Sequence, residues 1–173
     1  MIELSFTIDE EDIAETEQYL RRVPFDSKLC YTYDAPKGFI RFFINGGGNM
    51  SFCSDCDKDE LIPFALGLST ILHKIQLGKQ EVQPHLSEGG TLYYNLIDEQ
   101  TISVTLSWGS VTTVQCDFAE LKSKAESFCQ DLYNEIVRLF PNYFETMDQY
   151  SQESKDERGE TQVARIIEML LRK

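Results

Sequence analysis

The chain has 173 residues, of which 42% are hydrophobic, and 29 acidic against 16 basic residues give it a formal net charge of −13. A chain of this size and composition is expected to form one ordinary domain that buries roughly 70% of its unfolded surface without a disulfide or metal staple. The negative charge argues against contact with nucleic acid phosphates or anionic lipid.

The cysteines and the apolar runs bear on the compartment. Five cysteines are an odd number and lack the spacing of secreted domains, and residues 1–10 contain neither a basic region nor a long apolar run. No stretch reaches the roughly 18 consecutive apolar residues that a membrane span needs. We therefore expect a cytoplasmic protein with reduced thiols and no membrane contact.

The first third of the chain predicts strands and one surface helix. Residues 2–8 alternate between apolar and polar side chains, which indicates a strand. Asp9 is placed to cap a helix that ends before Pro24. Residues 29–33 and 39–44 predict the two strands of a hairpin.

The most apolar helix is predicted to begin near residue 61, with Asp57 or Asp59 as its cap, and to end at Gly78. Its apolar residues recur at steps of three and four, which predicts a wide buried stripe. The stripe consists of Leu61, Phe64, Ala65, Leu68, Ile71, Leu72 and Ile75. Residues 79–90 show no periodicity and predict a long connection.

Residues 91–117 carry the clearest pattern in the chain, that of two successive hairpins. A three-residue connection at residues 98–100 places Leu96, Tyr94 and Leu92 opposite Ile102, Val104 and Leu106, so that all six share one face. For the second hairpin, a three-residue loop that includes Val111 pairs Leu106 with Val114 and Val104 with Cys116. A two-residue loop would turn Val114 to the polar face, so we predict the longer loop.

A long helix is predicted to follow this hairpin. Asp117 is its expected N-cap, Glu120 completes a capping box, and Pro141 ends it. One buried stripe is predicted from Phe118, Leu121, Ala125, Phe128, Leu132, Ile136 and Leu139.

The order of these elements predicts an α+β fold with an antiparallel sheet of about five to six strands and helices packed on one face. Residues 1–150 form the single α+β domain. Residues 151–160 contain no hydrophobic side chain and predict a mobile linker, and residues 161–173 predict a C-terminal amphipathic helix.

No motif in the sequence completes a catalytic, metal or cofactor site. Cys53 and Cys56 have zinc-ligand spacing, but the chain has no second Cys-x-x-Cys or histidine pair, so we predict no metal. Asp55-x-Asp57-x-Asp59 resembles the start of a calcium loop, but the sixth position is not glycine and the twelfth is not glutamate.

The remaining candidates are also incomplete. The three glycines at residues 46–48 are not followed by the lysine and helix of a phosphate-binding loop. His73 suits a helix C-terminus and His85 a solvated loop. We therefore predict no catalytic residue and no cofactor.

Two acidic clusters are more informative than any motif. Residues 9–17 hold six acids and no base, and residues 55–60 hold four acids and Lys58, so together they contribute −9 of the net −13. These acids could favour helix N-termini, or they could form a recognition surface for a basic protein. The predicted partner-binding residues are Asp9, Glu10, Glu11, Asp12, Glu15, Glu17, Asp55, Asp57, Asp59 and Glu60. Further contact candidates are Tyr31, Tyr33, Asp34 and Trp108.

In composition alone, the chain is similar to small acidic inhibitors of basic toxins, such as bacterial immunity proteins. We therefore predict a non-enzymatic, acidic protein-binding module, an immunity or inhibitor-type protein that neutralises a basic partner. The alternative is a small-molecule-binding protein or hydrolase whose site lies between the sheet and its loops. A deep pocket with converging polar groups would favour the alternative, and a flat acidic face would favour the binding module.

Overall fold

The computed structural model describes residues 1–22, 36–45, 49–53, 58–83, 90–108, 110–151 and 162–171. The predicted strand at residues 29–33, the side chain of Trp108 and residues Tyr31, Tyr33, Asp34, Asp55, Cys56, Asp57 and His85 lie outside this description. Residues 152–160 of the predicted linker also lie outside it.

The fold is α+β, as predicted, but it contains two antiparallel sheets where a single sheet was expected. The first sheet contains β1 (Ile2–Thr7), β2 (Lys37–Asn45) and β3 (Asn49–Cys53) in that order, with the short β4 (Asp59–Glu60) also paired to β2. The second sheet has the order β5 (Gln80–Gln83), β6 (Thr91–Leu96), β7 (Thr101–Trp108) and β8 (Ser110–Asp117). The alternating patterns predicted strands and their inner faces, but the grouping of strands depends on contacts distant in sequence.

Five helices complete the described structure. They are α1 (Glu10–Arg22), α2 (Leu61–Lys74), α3 (Phe118–Leu139), α4 (Tyr143–Ser151) and α5 (Gln162–Leu170). Helices α2 and α3 contact each other, and both contact strands of each sheet. The predicted C-terminal helix, α5, packs against α2, α3 and α4, with Ile166 and Leu170 buried in the common core.

The first of the two predicted hairpins is confirmed. Leu92 pairs with Leu106, Tyr94 with Val104 and Leu96 with Ile102, and all six side chains are buried. They share one hydrophobic cluster with the α3 stripe, which includes Leu121, Phe128, Leu132 and Ile136.

The register predicted for the second hairpin is wrong by two residues. Leu106 pairs with Thr112, Val104 with Val114, and Ile102 with Cys116. A shift of two residues keeps every side chain on the same face, so Val114 is buried as predicted. The hydrophobic pattern excludes an odd shift but cannot distinguish between even ones.

Two helix starts differ from the predictions. Asp117 caps α3 by accepting the amide of Glu120 at 2.7 Å, but Glu120 does not complete a capping box, because its Oε1 accepts the amide of Ile2 at 3.0 Å. The N-cap residue of α2 is Glu60, without a side-chain cap bond, because Asp59 belongs to β4. This helix ends at Lys74, four residues before Gly78.

The predicted connection at residues 79–90 contains a strand, β5, which pairs with β6. Gln83 is buried at the end of β5, where its side chain donates to the carbonyl of Phe64 at 3.1 Å and accepts from the Tyr94 hydroxyl at 3.0 Å. This buried polar bridge joins α2 to the second sheet.

Candidate functional site

Three acids of the first acidic cluster surround the ammonium group of Lys58, the one base of the second acidic segment. Lys58 Nζ lies 2.8 Å from Asp12 Oδ1, 3.1 Å from Asp9 Oδ2 and 3.4 Å from Glu11 Oε2. It also lies 5.6 Å from the centre of the Phe39 ring. Lys58 therefore ties the start of α1 to the segment that leads into β4.

The N-terminus of α1 explains why these carboxylates are held so closely. Asp9 accepts the amide of Asp12 at 3.0 Å, and Asp12 accepts the amide of Asp9 at 3.1 Å, which is a reciprocal capping box. This arrangement confirms Asp9 as the predicted cap. It also turns the Asp12 side chain inward, where it is 0% exposed.

The buried Asp12 carboxylate depends on Lys58 for its charge balance. Its Oδ1 has no well-aligned hydrogen bond among the described residues, so the ammonium 2.8 Å away balances the charge by proximity. Burial raises the pKa of Asp12, and the Lys58 ammonium and the Asp9 amide oppose this increase. The pKa of Asp9 is lowered, first by the Asp12 amide and then by Lys58. The pKa of Lys58 is raised, chiefly by its close contact with the Asp12 carboxylate.

The predicted partner-binding residues thus fall into different environments. Asp12 and Asp59 are buried, so neither side chain lies on the described surface. Asp9 is half-buried beside Lys58, and Glu60 is exposed at the start of α2.

The exposed acids of α1 are Glu10, Glu11, Glu15 and Glu17. Glu11 contacts Lys58, and Glu17 pairs with Arg21 at 3.3 Å. Glu10 and Glu15 have no ion pair with any described residue. These four carboxylates form what we call the α1 acidic face.

A cleft of about 620 Å³ lies beside this region, between the N-terminal half of α2, β4 and β5. Its lining combines apolar side chains of α2 with polar groups at the rim. The lining residues are Lys37, Lys58, Asp59, Glu60, Pro63, Phe64, Leu66, Gly67, Thr70, Ile71, Val82 and Gln83. Its volume is within the roughly 300 to 1,000 Å³ of small-molecule sites.

Several polar groups of the cleft are already engaged with the protein. The Gln83 amide bridges Tyr94 and Phe64, and Lys58 contacts three carboxylates. Lys37 is exposed at the rim, where β2 pairs with β4. The cleft therefore offers apolar surface with the Lys37 ammonium and the Glu60 carboxylate at its edge.

The described thiols and the described histidine occupy packed positions. Burial raises the pKa of Cys116 to about 11 and that of Cys129 to about 12, so both thiols are protonated at neutral pH. His73 Nδ1 lies 2.8 Å from the Ser69 carbonyl oxygen, one turn earlier in α2, and its Nε2 lies 3.9 Å from Glu126. These contacts orient the imidazole within the helix pair α2 and α3.

Within the described ranges, no group of three or more metal-ligating side chains converges. The predicted absence of a metal at Cys53 and Cys56 stays a prediction, because the Cys53 side chain and Cys56 lie outside the description. None of the helices in the described part of the chain combines the length and apolar character that a membrane crossing requires.

Sequence reasoning did not foresee the role of Lys58. The available signal was that Lys58 is the one base inside the acidic segment 55–60, while the segment 9–17 has none.

The sequence is compared with family models, with curated proteins and with solved structures, and none of the three comparisons finds a match.

Proposed function

We propose that the protein is a non-enzymatic, cytoplasmic protein-binding module that recognises a basic protein through the α1 acidic face. Neutralisation of a basic toxin or enzyme by an inhibitor of the immunity type is the form of activity that fits this chemistry. The observation that carries the proposal is the exposure of Glu10 and Glu15 without a cation partner among the described residues.

Helix stability does not account for all of these charges. Glu10 and Glu11 lie in the first turn of α1, where carboxylates favour the positive end of the helix dipole. This effect falls off within the first turn, and Glu15 lies beyond it. Glu15 is also one turn from Glu11, a like-charge spacing that costs about 0.2 to 0.5 kcal/mol. A basic partner would offset this repulsion.

The acids that cap α1 and the exposed acids of α1 have separate roles in this proposal. Asp9 and Asp12 cap α1 and bind Lys58, so they hold the helix in place. Glu10 and Glu15 extend from that fixed helix, so their charges need little ordering when a partner binds. Electrostatic steering by such a fixed field raises the association rate more than it raises the affinity itself.

The test compares two charge-matched double variants. Glu10→Gln/Glu15→Gln removes the unpaired carboxylates of α1, and Glu99→Gln/Glu145→Gln removes two exposed carboxylates elsewhere. Basic proteins retained by the wild type at low salt are identified by mass spectrometry, and each association rate is measured by stopped flow. We expect the α1 variant to bind about three- to tenfold more slowly, with the control near the wild-type rate.

Salt and stability provide the accompanying readouts. Binding should weaken as salt rises, because exposed charges are screened beyond about 8 Å at physiological ionic strength. The stability of both variants should stay within about 1 kcal/mol of the wild type, because each loses one first-turn carboxylate, Glu10 of α1 or Glu145 of α4. Equal slowing by the two double variants would show that only net charge matters, and the α1 acidic face would then lose its assignment.

A second candidate function rests on the cleft between α2 and β5, whose volume and apolar lining suit a small amphipathic ligand with an anionic group near Lys37. The anionic dye anilinonaphthalene sulfonate can probe this site, with Thr70→Trp to fill the cleft and Ser123→Trp on α3 as the control. Saturable one-to-one binding that only Thr70→Trp abolishes would favour this candidate. Dye binding that both variants leave unchanged would exclude the cleft.

A further inference from the structure

The outer face of the second sheet has an unusual composition for so acidic a chain. Strand pairing aligns its outward side chains in four rows, of which the row at one end of the sheet contains Thr101 and Asp117 and the other three carry no charge. The three uncharged rows are Gln80, Asn95, Ser103 and Gln115; then Val82, Tyr93, Thr105 and Thr113; then Thr91, Ser107 and Val111. We call these eleven residues the uncharged face.

None of the eleven is charged, although typical protein surfaces would place about three charged residues among eleven positions. The one charged side chain among the outward strand residues of this sheet is Asp117, which lies at the end of β8 and caps α3. All are half-buried or exposed, and Val111 is 72% exposed. By contrast, the outer side of the first sheet carries Glu3, Lys37 and Arg41, with Glu3 and Arg41 paired at 3.4 Å. The scarcity of charge is therefore a property of one sheet and not of strand surfaces in this chain generally.

The centre of the uncharged face is ordered by its own contacts. Thr105 and Thr113 are joined by a hydrogen bond of 2.8 Å between their hydroxyl groups. Tyr93 stands beside Thr105 in the same row and supplies a ring with a polar end. Threonine and tyrosine on a rigid sheet lose little side-chain entropy on contact, which suits a binding surface.

We propose that this face is the contact between two copies of the chain in a symmetric dimer. In a two-fold contact, the same patch from each copy meets itself, so any charge near the axis meets a like charge. Two chains that each carry −13 repel one another, and a face without charges keeps that repulsion away from the contact. A basic partner would gain more electrostatic binding energy at the α1 acidic face than at the uncharged face. We therefore assign the uncharged face to a second copy of the chain.

The size of the face sets the strength of the contact. Four strands at their usual spacing and roughly seven residues in length cover about 19 by 23 Å, or about 440 Å² in projection. Two such faces total about 880 Å², which is below the roughly 1,000 Å² that stable interfaces exceed and is typical of weak, transient contacts. The dimer should therefore form in a concentration-dependent manner.

Salt distinguishes this contact from the proposed binding of a basic partner. Screening weakens the repulsion between the two acidic chains, so dimerisation should strengthen from about 0.05 to about 0.5 M salt. Binding through the α1 acidic face should weaken over the same range. The two proposals can therefore fail independently.

Sedimentation equilibrium of the full chain is the test, over a range of protein concentrations and at both salt concentrations. We expect the average mass to rise from 19.9 kDa towards twice that value, and further at the higher salt. A chain that stays at 19.9 kDa under all these conditions would overturn the proposal.

Charge variants then locate the contact. Thr113→Glu and Thr113→Lys both place a charge on the face, and each should weaken the dimer by about tenfold or more. Gln18→Glu and Gln18→Lys on α1 are the controls, and they should leave the dimer within about twofold of the wild type. If lysine at residue 113 strengthens the dimer, net charge governs association and the face assignment is wrong. Val111→Glu repeats the test at a more exposed position if a variant at residue 113 does not fold.

Discussion

Removing the Lys58 ammonium should expose how much the fold depends on it. Methionine keeps most of the aliphatic stem of Lys58 but leaves the Asp12 carboxylate, which is 0% exposed, without its cation. Breaking a buried ion pair from one side costs about 3 to 5 kcal/mol. We therefore expect Lys58→Met to destabilise the protein by about 3 kcal/mol at neutral pH.

Protonation sets an upper limit on this loss and gives it a pH signature. Without the Lys58 ammonium, the Asp12 carboxylate can take up a proton. For a carboxyl of ordinary pKa 3.8, protonation costs about 4 kcal/mol at about pH 7 and about 2 kcal/mol at about pH 5. Burial raises the pKa of Asp12, in the direction that favours this escape. The cost of Lys58→Met should therefore fall to below about 2 kcal/mol at about pH 5.

Urea unfolding at the two pH values measures the effect, and the background Asp12→Asn supplies the control. Asparagine can still accept the Asp9 amide but carries no charge, so Lys58→Met should cost less than about 1 kcal/mol in that background. Equal costs in both backgrounds would refute the reasoning. A cost that does not change between the two pH values would refute it as well.

Two further predictions concern the second sheet. Leu106→Ala removes a side chain that is 6% exposed and should cost about 2 to 5 kcal/mol, read from the urea midpoint, so an unmoved midpoint would contradict its place in the core. Asp98 accepts the amides of Gln100 at 2.8 Å and Thr101 at 2.7 Å, and these hydrogen bonds lower its pKa. Its contribution to stability should be present above the unfolded pKa and disappear as pH falls through the lowered folded value, so Asp98→Asn should be destabilising near pH 7 and neutral in strong acid.

The hairpin of β6 and β7 was predictable because three kinds of local information agree there. The alternation fixes the inner face, the length of the connection fixes the register, and Asp98 provides the turn with its acceptor. At the next turn, only the alternation gives information. Val104 lies opposite Val114 in the observed register and opposite Cys116 in the predicted register, and both partners keep the same face. The sequence therefore determined the face but not the pairing.

Strand β5 was missed because its stability does not come from its own pattern. Its four residues include one apolar side chain, Val82, and that side chain faces outward. The strand is held by β6 and by the buried Gln83 bridge to Tyr94 and Phe64. From the sequence alone, a glutamine is expected on the surface. Gln83 is buried because its hydrogen-bond partners come from α2, earlier in the chain, and from β6, later in the chain.

The acidic clusters illustrate the same limit for function. Formal charge counts Asp12 and Glu15 equally, although Asp12 is buried beside Lys58 and Glu15 is exposed without an ion pair among the described residues. Spacing at Asp9 predicted the helix cap, and the cap determines that Asp12 turns inward. It did not predict the cation, because Lys58 lies 49 residues from Asp9 along the chain. The candidate binding surface therefore consists of the acids of α1 that neither cap the helix nor lie buried beside Lys58. Only the distances around Lys58 distinguish these exposed acids from the structural ones.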